Sequence, residues 1–378
     1  MSDQNEDNKG VIRRNGERIK ADSMRVLHSL AHSVGSIPYR SWVSGLRGNS
    51  NSNSVWLLGK EYNNIKCDLL ASDLRGRVYL SYRNGFPPLN EQASSTADTG
   101  WGCMIRTSQM LLAQVLITQN LGRDWIREDA TPSTLSNIIR LFDDHTGPLG
   151  IHKFIKQAQD NGIENAVGRW YSPSEAFIIF RDIIYASHNC LLSHLSTLVC
   201  FDNLVVLQEI EDVSEGWTKN VLVVVPVRLG TTSVNEKYFD ALKYLFMTKS
   251  FLGAVGGRPK HSLYFVGTSH DLLLYLDPHK SQPYAKLDGN ESEKTWDSYH
   301  TSEKLFMKLH SIDPSLALGF LLTSEEECIG LFENLAENEV VEYKNDPKNP
   351  IFSVVKEKVV YNNMDNEERV EENGFELL

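Results

Sequence analysis

Asp98-Thr99-Gly100-Trp101-Gly102-Cys103-Met104-Ile105-Arg106 joins a glycine-rich turn to an apolar stretch that runs on to Leu116. Apolar residues at 104, 105, 111, 112, 115 and 116 fill more than one stripe at helical spacing. That pattern predicts a central helix over Met104–Leu116, buried on several sides. Cys103 then stands where the turn meets the helix N-terminus, and the positive end of the macrodipole favours its thiolate and hence nucleophilic attack. Gly100 and Gly102 permit unusual backbone angles and close approach by a substrate chain. Taken locally, a small apolar cysteine that merely starts a core helix fits as well.

Beyond this helix the pattern mixes helical and strand periods, which predicts an α+β body. Val221–Val227 is a continuous β-branched run, and Ser262–Val266 and Leu272–Leu276 flank the polar Thr268-Ser269-His270-Asp271, as in a hairpin. The second hairpin strand runs into Leu276-Asp277-Pro278-His279. Residues two apart on an extended chain point to one side, so Asp277 and His279 face the same pocket while Pro278 stiffens the link between them. A thiol nucleophile needs an imidazole to share its proton and a third group to hold the ring, in any chain order. Here that order is Cys, Asp, His. His145, His152, His188, His194, His261, His270, His300 and His310 compete for the same part on spacing alone.

Leu252-Gly253-Ala254-Val255-Gly256-Gly257-Arg258-Pro259 lacks the ending of a phosphate-binding loop. It is expected to be a mobile loop that lets a substrate backbone pass. No spacing of histidines and cysteines suggests a metal site, and no cofactor is expected.

The chain has 378 residues, with 38 lysines and arginines against 49 acids, a net charge of −11 that would repel nucleic acid. The odd set of five cysteines contains no C-x-x-C pair, which suits a reducing, intracellular setting. Met1–Gly10 is polar and has no apolar core for export. The most apolar runs, Val221–Val227 and Leu316–Leu322, fall well short of the roughly 20 residues that cross a bilayer. The expected layout is a flexible N-terminal region over 1–54, a folded body over 55–350 and a tail over 351–378. Within the first, Met24, Leu27, Leu30, Ala31 and Val34 suggest a short amphipathic helix ahead of the linker-like run 47–54. The tail is expected to open with a strand over Phe352–Val360 and becomes acidic, with six carboxylates against one arginine over 361–378.

Taken together, these segments resemble the autophagin family, the cysteine peptidases of autophagy. The resemblance rests on Val55-Trp56-Leu57-Leu58-Gly59-Lys60, Tyr82-Arg83 with Phe86-Pro87, Gly100-Trp101-Gly102-Cys103-Met104, Arg169-Trp170-Tyr171, Gly256-Gly257-Arg258-Pro259, Tyr275-Leu276-Asp277-Pro278-His279 and Asp313-Pro314-Ser315. They occur in the family's order over roughly residues 55–335. The resemblance implies a papain-like fold with a small accessory subdomain. It also implies cleavage after the C-terminal glycine of the ubiquitin-like autophagy modifiers, both in their precursors and in their conjugates with phosphatidylethanolamine.

Position by position, it makes Cys103 the nucleophile, His279 the base and then the acid, Asp277 the residue that orients the ring, and Tyr82 an oxyanion donor. Trp170 would cover the substrate groove, and Gly256, Gly257, Arg258 and Pro259 would form the loop opposite it. Phe375 and Leu378 of Phe375-Glu376-Leu377-Leu378 would anchor a second contact with the modifier, and the N-terminal region could cover the product exit. A cytoplasmic monomer that meets autophagic membranes only through its substrate completes the expectation. The alternatives are an inactive scavenger that only binds modifiers and an acyltransferase that passes the thioester to an amine.

Overall fold

Val221–Val225 and Val227 are all buried, on a strand that spans Asn220–Arg228. The computed structural model describes residues 54–90, 94–127, 133–258, 261–344 and 347–357. Among these, the strand lies within a mixed sheet whose spatial order is Leu305–Lys308, Leu272–Leu276, His261–Ser269, Phe251–Arg258, Ser315–Leu322, Asn220–Arg228 and Leu195–Val199. Neighbours run antiparallel except the last pair, which is parallel. Val55–Leu57 joins the outer end of His261–Ser269 and is itself paired with Lys60–Tyr62.

Side chains two apart on one strand share a face, and both faces of this sheet are covered, which is why the Val221–Val227 run shows no polar alternation. Leu222 and Val224 join the cluster that holds the central helix, whereas Val221, Val223, Val225 and Val227 join a second cluster on the other face. The first face carries the central helix Cys103–Leu121 and the helices Ser133–Arg140, Ile151–Asp160 and Pro173–Tyr185. The second carries Phe239–Met247 and Glu325–Glu337. A separate three-stranded parallel sheet, Val341–Glu342, Phe352–Val355 and Leu204–Val206, adds a small unit that packs into this second cluster. The architecture is α+β.

The central helix runs from Cys103 to Leu121, one residue earlier and five later than its apolar pattern predicts. The expected hairpin forms, as His261–Ser269 paired with Leu272–Leu276. Two expectations are corrected. Leu252–Arg258 is not a mobile loop, because Phe251–Arg258 is an interior strand paired on both sides, and its apolar residues feed both clusters. The glycines there let neighbouring chains approach. At Gly257, with φ +151°, a Cβ would lie 2.0 Å from the His261 carbonyl oxygen. Pro259 lies outside the described residues. The boundary at residue 350 moves outward, since Phe352 and Val354 are buried in the three-stranded sheet. That strand spans Phe352–Val355, and residues 358–360 of the expected one lie outside the described residues. The N-terminal helix over Met24–Val34 and the tail motif with Phe375 and Leu378 lie outside the described residues. Among the described residues, no helix is long and apolar enough to cross a membrane.

Candidate active site

The turn before Cys103 closes on Asp98, whose carbonyl accepts the N–H groups of Trp101 at 3.2 Å and Gly102 at 2.9 Å. Gly100 has φ +89°, in the region that favours glycine. Gly102 is needed for a different reason than its backbone angle: φ is an ordinary −79°, but a Cβ would lie 2.4 Å from Asp98 Oδ2. Cys103 follows as the first residue of the helix. Its first turn carries no acid that would offset the dipole.

From the other side of the site, the hairpin strand Leu272–Leu276 ends in Asp277-Pro278-His279. Asp277 Oδ1 accepts both the His279 backbone N–H at 3.0 Å and a contact of 2.5 Å with Nδ1. One carboxylate oxygen thus fixes the ring's orientation and leaves Nε2 for the thiol. Burial alone would lower the His279 pKa, but the bond to Asp277 and the pairing with Cys103 outweigh it and push it up to about 9. Burial raises the Cys103 thiol, yet the hydrogen bond and charge of His279, the Ser262 backbone N–H and Tyr82 together bring it below its ordinary value. Both directions favour a thiolate–imidazolium pair.

Tyr82 stands edge-on to His279, with ring centroids 5.3 Å apart at 88°. Its hydroxyl is buried with no oxygen or nitrogen partner among the described residues and is coupled to the Cys103 sulfur. Burial first, then Cys103, drives its pKa far up, so the phenol keeps its proton. The segment around it is tied to the hairpin. Tyr82 N–H donates to the Pro278 carbonyl at 2.8 Å, Gln282 N–H donates to the Tyr82 carbonyl at 2.9 Å, and Tyr79 hydroxyl donates to the Asp277 carbonyl at 2.7 Å. Gln282 Nε2 also donates to Ser81 Oγ at 2.7 Å, so this glutamine backs the tyrosine.

A cavity of about 150 Å³ opens beside the thiol, lined by Trp101, Cys103, Trp170, Gly256, Gly257 and Arg258 among others. His261 also lines it, with its ring centroid 4.9 Å from that of His279. The sequence-predicted Cys103, Asp277, His279 and Tyr82 therefore meet, and Trp170 and Gly256–Arg258 border the same groove. Of the competing histidines only His261 reaches it. His152 is held by the carbonyls of Asp144 and Pro87 at 2.6 and 2.9 Å. Burial and then Arg127 push the His300 pKa down to about 4. Sequence alone gives no role to Asp98, Arg106 or Asp144. Only Arg106 leaves a signal, a charge beside the apolar run of the central helix whose burial demands partners, whereas Asp98 and Asp144 stand in polar stretches that mark neither.

The family model described as the Peptidase C54 catalytic domain matches residues 68–336. The cysteine protease atg-4.2 of Caenorhabditis elegans is 34% identical over an alignment of 322 positions that covers 75% of this chain and 61% of that protein. The chain thus spans about three fifths of that relative. The cysteine protease ATG4A of Xenopus laevis is 32% identical over an alignment of 339 positions, covering 78% of this chain and 82% of its own. The cysteine protease ATG4D of the same frog is 33% identical over an alignment of 363 positions that covers 81% and 76% of the two chains.

Proposed function

Because the chain belongs to the Peptidase C54 family, we propose that it is a cysteine endopeptidase of autophagy in which Cys103 is the nucleophile. The observation that carries this reading is the line Asp277–His279–Cys103, polarised toward thiolate and imidazolium. The Cys103 thiolate attacks the carbonyl carbon of a substrate glycine. The oxyanion takes a proton-bearing donor from Tyr82 and a backbone N–H near Cys103. His279 gives its proton to the departing amine, and the glycine is left as a thioester on Cys103. Water, deprotonated by His279, then hydrolyses the thioester and restores the thiolate.

The substrate class is the ubiquitin-like autophagy modifiers, cut after the C-terminal glycine in the precursor and at the amide to phosphatidylethanolamine. A groove bordered by Trp170, Gly256, Gly257 and Arg258 supports this, since a narrow passage admits glycine and excludes larger side chains. Pro259 would extend that border. Phe375 and Leu378 of the acidic tail would add a second contact, as an extended segment beside the modifier's sheet edge. The site of action is cytoplasmic, as a monomer, with membrane contact made through the conjugated substrate. The polarised thiol favours this reading over a scavenger, which has no use for it.

The test is the mass of the product from a modifier precursor extended beyond its glycine. Wild type is expected to give a product ending at glycine, and Cys103→Ala to bind without cutting. Cleavage by Cys103→Ala would end the reading.

A further inference from the structure

A carboxylate without solvent exposure costs several kcal/mol unless it is paired and hydrogen-bonded. Asp98 meets that demand on two sides. Its Oδ1 accepts the Arg83 backbone N–H at 2.7 Å, while its own N–H donates to the Arg83 carbonyl at 3.2 Å. Its Oδ2 accepts from Arg106 Nε at 2.7 Å. Arg106 Nη1 donates in turn to Asp144 Oδ1 at 2.6 Å and to Gln109 Oε1 at 3.3 Å. All three charged side chains are at most 2% exposed.

Arg83 directly follows Tyr82, and Arg106 lies one turn beyond Cys103 on the same helix. A single rigid carboxylate therefore joins the segment of the oxyanion donor to the helix of the nucleophile. We propose that Asp98 is a positioning residue that sets the spacing between the Tyr82 hydroxyl and the Cys103 sulfur. The inference rests on the roles given to Tyr82 and Cys103 above. It explains why a buried arginine in the first turns of the central helix is shared by two acids. It also explains Gly102, where any Cβ would strike Asp98 Oδ2 and push the carboxylate off Arg83 and Arg106. An ångström of displacement at a reacting centre costs roughly 100-fold in rate.

The experiment compares wild type, Tyr82→Phe, Asp98→Asn and the double variant on a modifier precursor extended beyond its glycine. It adds the rate at which iodoacetamide alkylates Cys103, read by peptide mass, because alkylation forms no oxyanion. Asp98→Asn is expected to lower kcat roughly 10- to 100-fold with KM and the alkylation rate within about threefold, less than the roughly 100- to 1000-fold that removing an oxyanion donor outright costs. In the Tyr82→Phe background it is expected to add less than about threefold, since both changes remove one interaction. Losses that multiply in the double variant, or an alkylation rate that falls with kcat, would overturn the proposal. If Asp98→Asn fails to fold by its unfolding transition, Arg106→Lys, which keeps the cation but loses the fork, takes its place. The same four-way comparison then applies, with the same results supporting or overturning the proposal. Failure of the underlying reading looks different: Cys103→Ala cuts, or wild type does not.

Discussion

His279 is pulled two ways, and the balance sets a pH window. Burial favours the neutral ring, while the Asp277 carboxylate and the Cys103 thiolate favour the charged one and raise its pKa from the ordinary 6.5 to about 9. The charged pair is therefore complete above the lowered thiol pKa of Cys103 and is lost as pH rises through about 9. The same sign holds for stability. A pKa raised in the folded state stabilises it fully below 6.5, and that contribution disappears as His279 deprotonates near 9. The pH profile of kcat/KM is expected to fall on its alkaline side near 9. Asp277→Asn should move that limb toward lower pH and cut the plateau by about 10⁴-fold, as loss of the ring-orienting carboxylate does elsewhere. An alkaline limb that stays in place would show that Asp277 does not set the charge of the ring.

Central helix and sheet meet at Gly319 on the Ser315–Leu322 strand, where a Cβ would lie 2.8 Å from Leu111 Cδ1. Gly319→Val is expected to destabilise by about 1–3 kcal/mol, and Gly319→Val with Leu111→Ala by less than the two single losses combined. Thermal unfolding of the three variants checks this, and strictly additive losses would deny the close approach. Elements of this kind are legible in the sequence to different degrees. The Leu272–Leu276 strand stands out because its apolar run is uninterrupted, and the central helix because apolar residues at 104, 105, 111, 112, 115 and 116 recur at helical spacing. Phe251–Arg258 reads as a loop because three glycines dilute its pattern, although it is those glycines that let it sit between two strands. Leu204–Val206, Val341–Glu342 and Phe352–Val355 carry two to four residues each and pair across long separations, so no local period marks them as one sheet. Asp98 and Arg106 flank Cys103 in the chain, yet a sequence shows charge and not the partner that makes burial tolerable.

At the scale of the whole molecule, Tyr82 and Cys103 come from the first third of the chain, and Asp277 and His279 from far along it. The strap around Tyr82 joins them, bonded through Arg83 to Asp98 and through its own N–H to Pro278. Cys103 starts a helix packed on one face of the sheet, and His279 follows three residues after a strand of the sheet itself. Neither half holds the groups the other needs, so the site exists only when helix layer and sheet are docked. The most direct measurement uses a modifier whose terminal glycine carries a thiol-reactive vinyl sulfone, followed by peptide mapping of the adduct. The account predicts one adduct, on Cys103, whose formation slows when His279 is replaced by alanine. An adduct on Cys67, Cys190, Cys200 or Cys328, or an undiminished rate in His279→Ala, would contradict it.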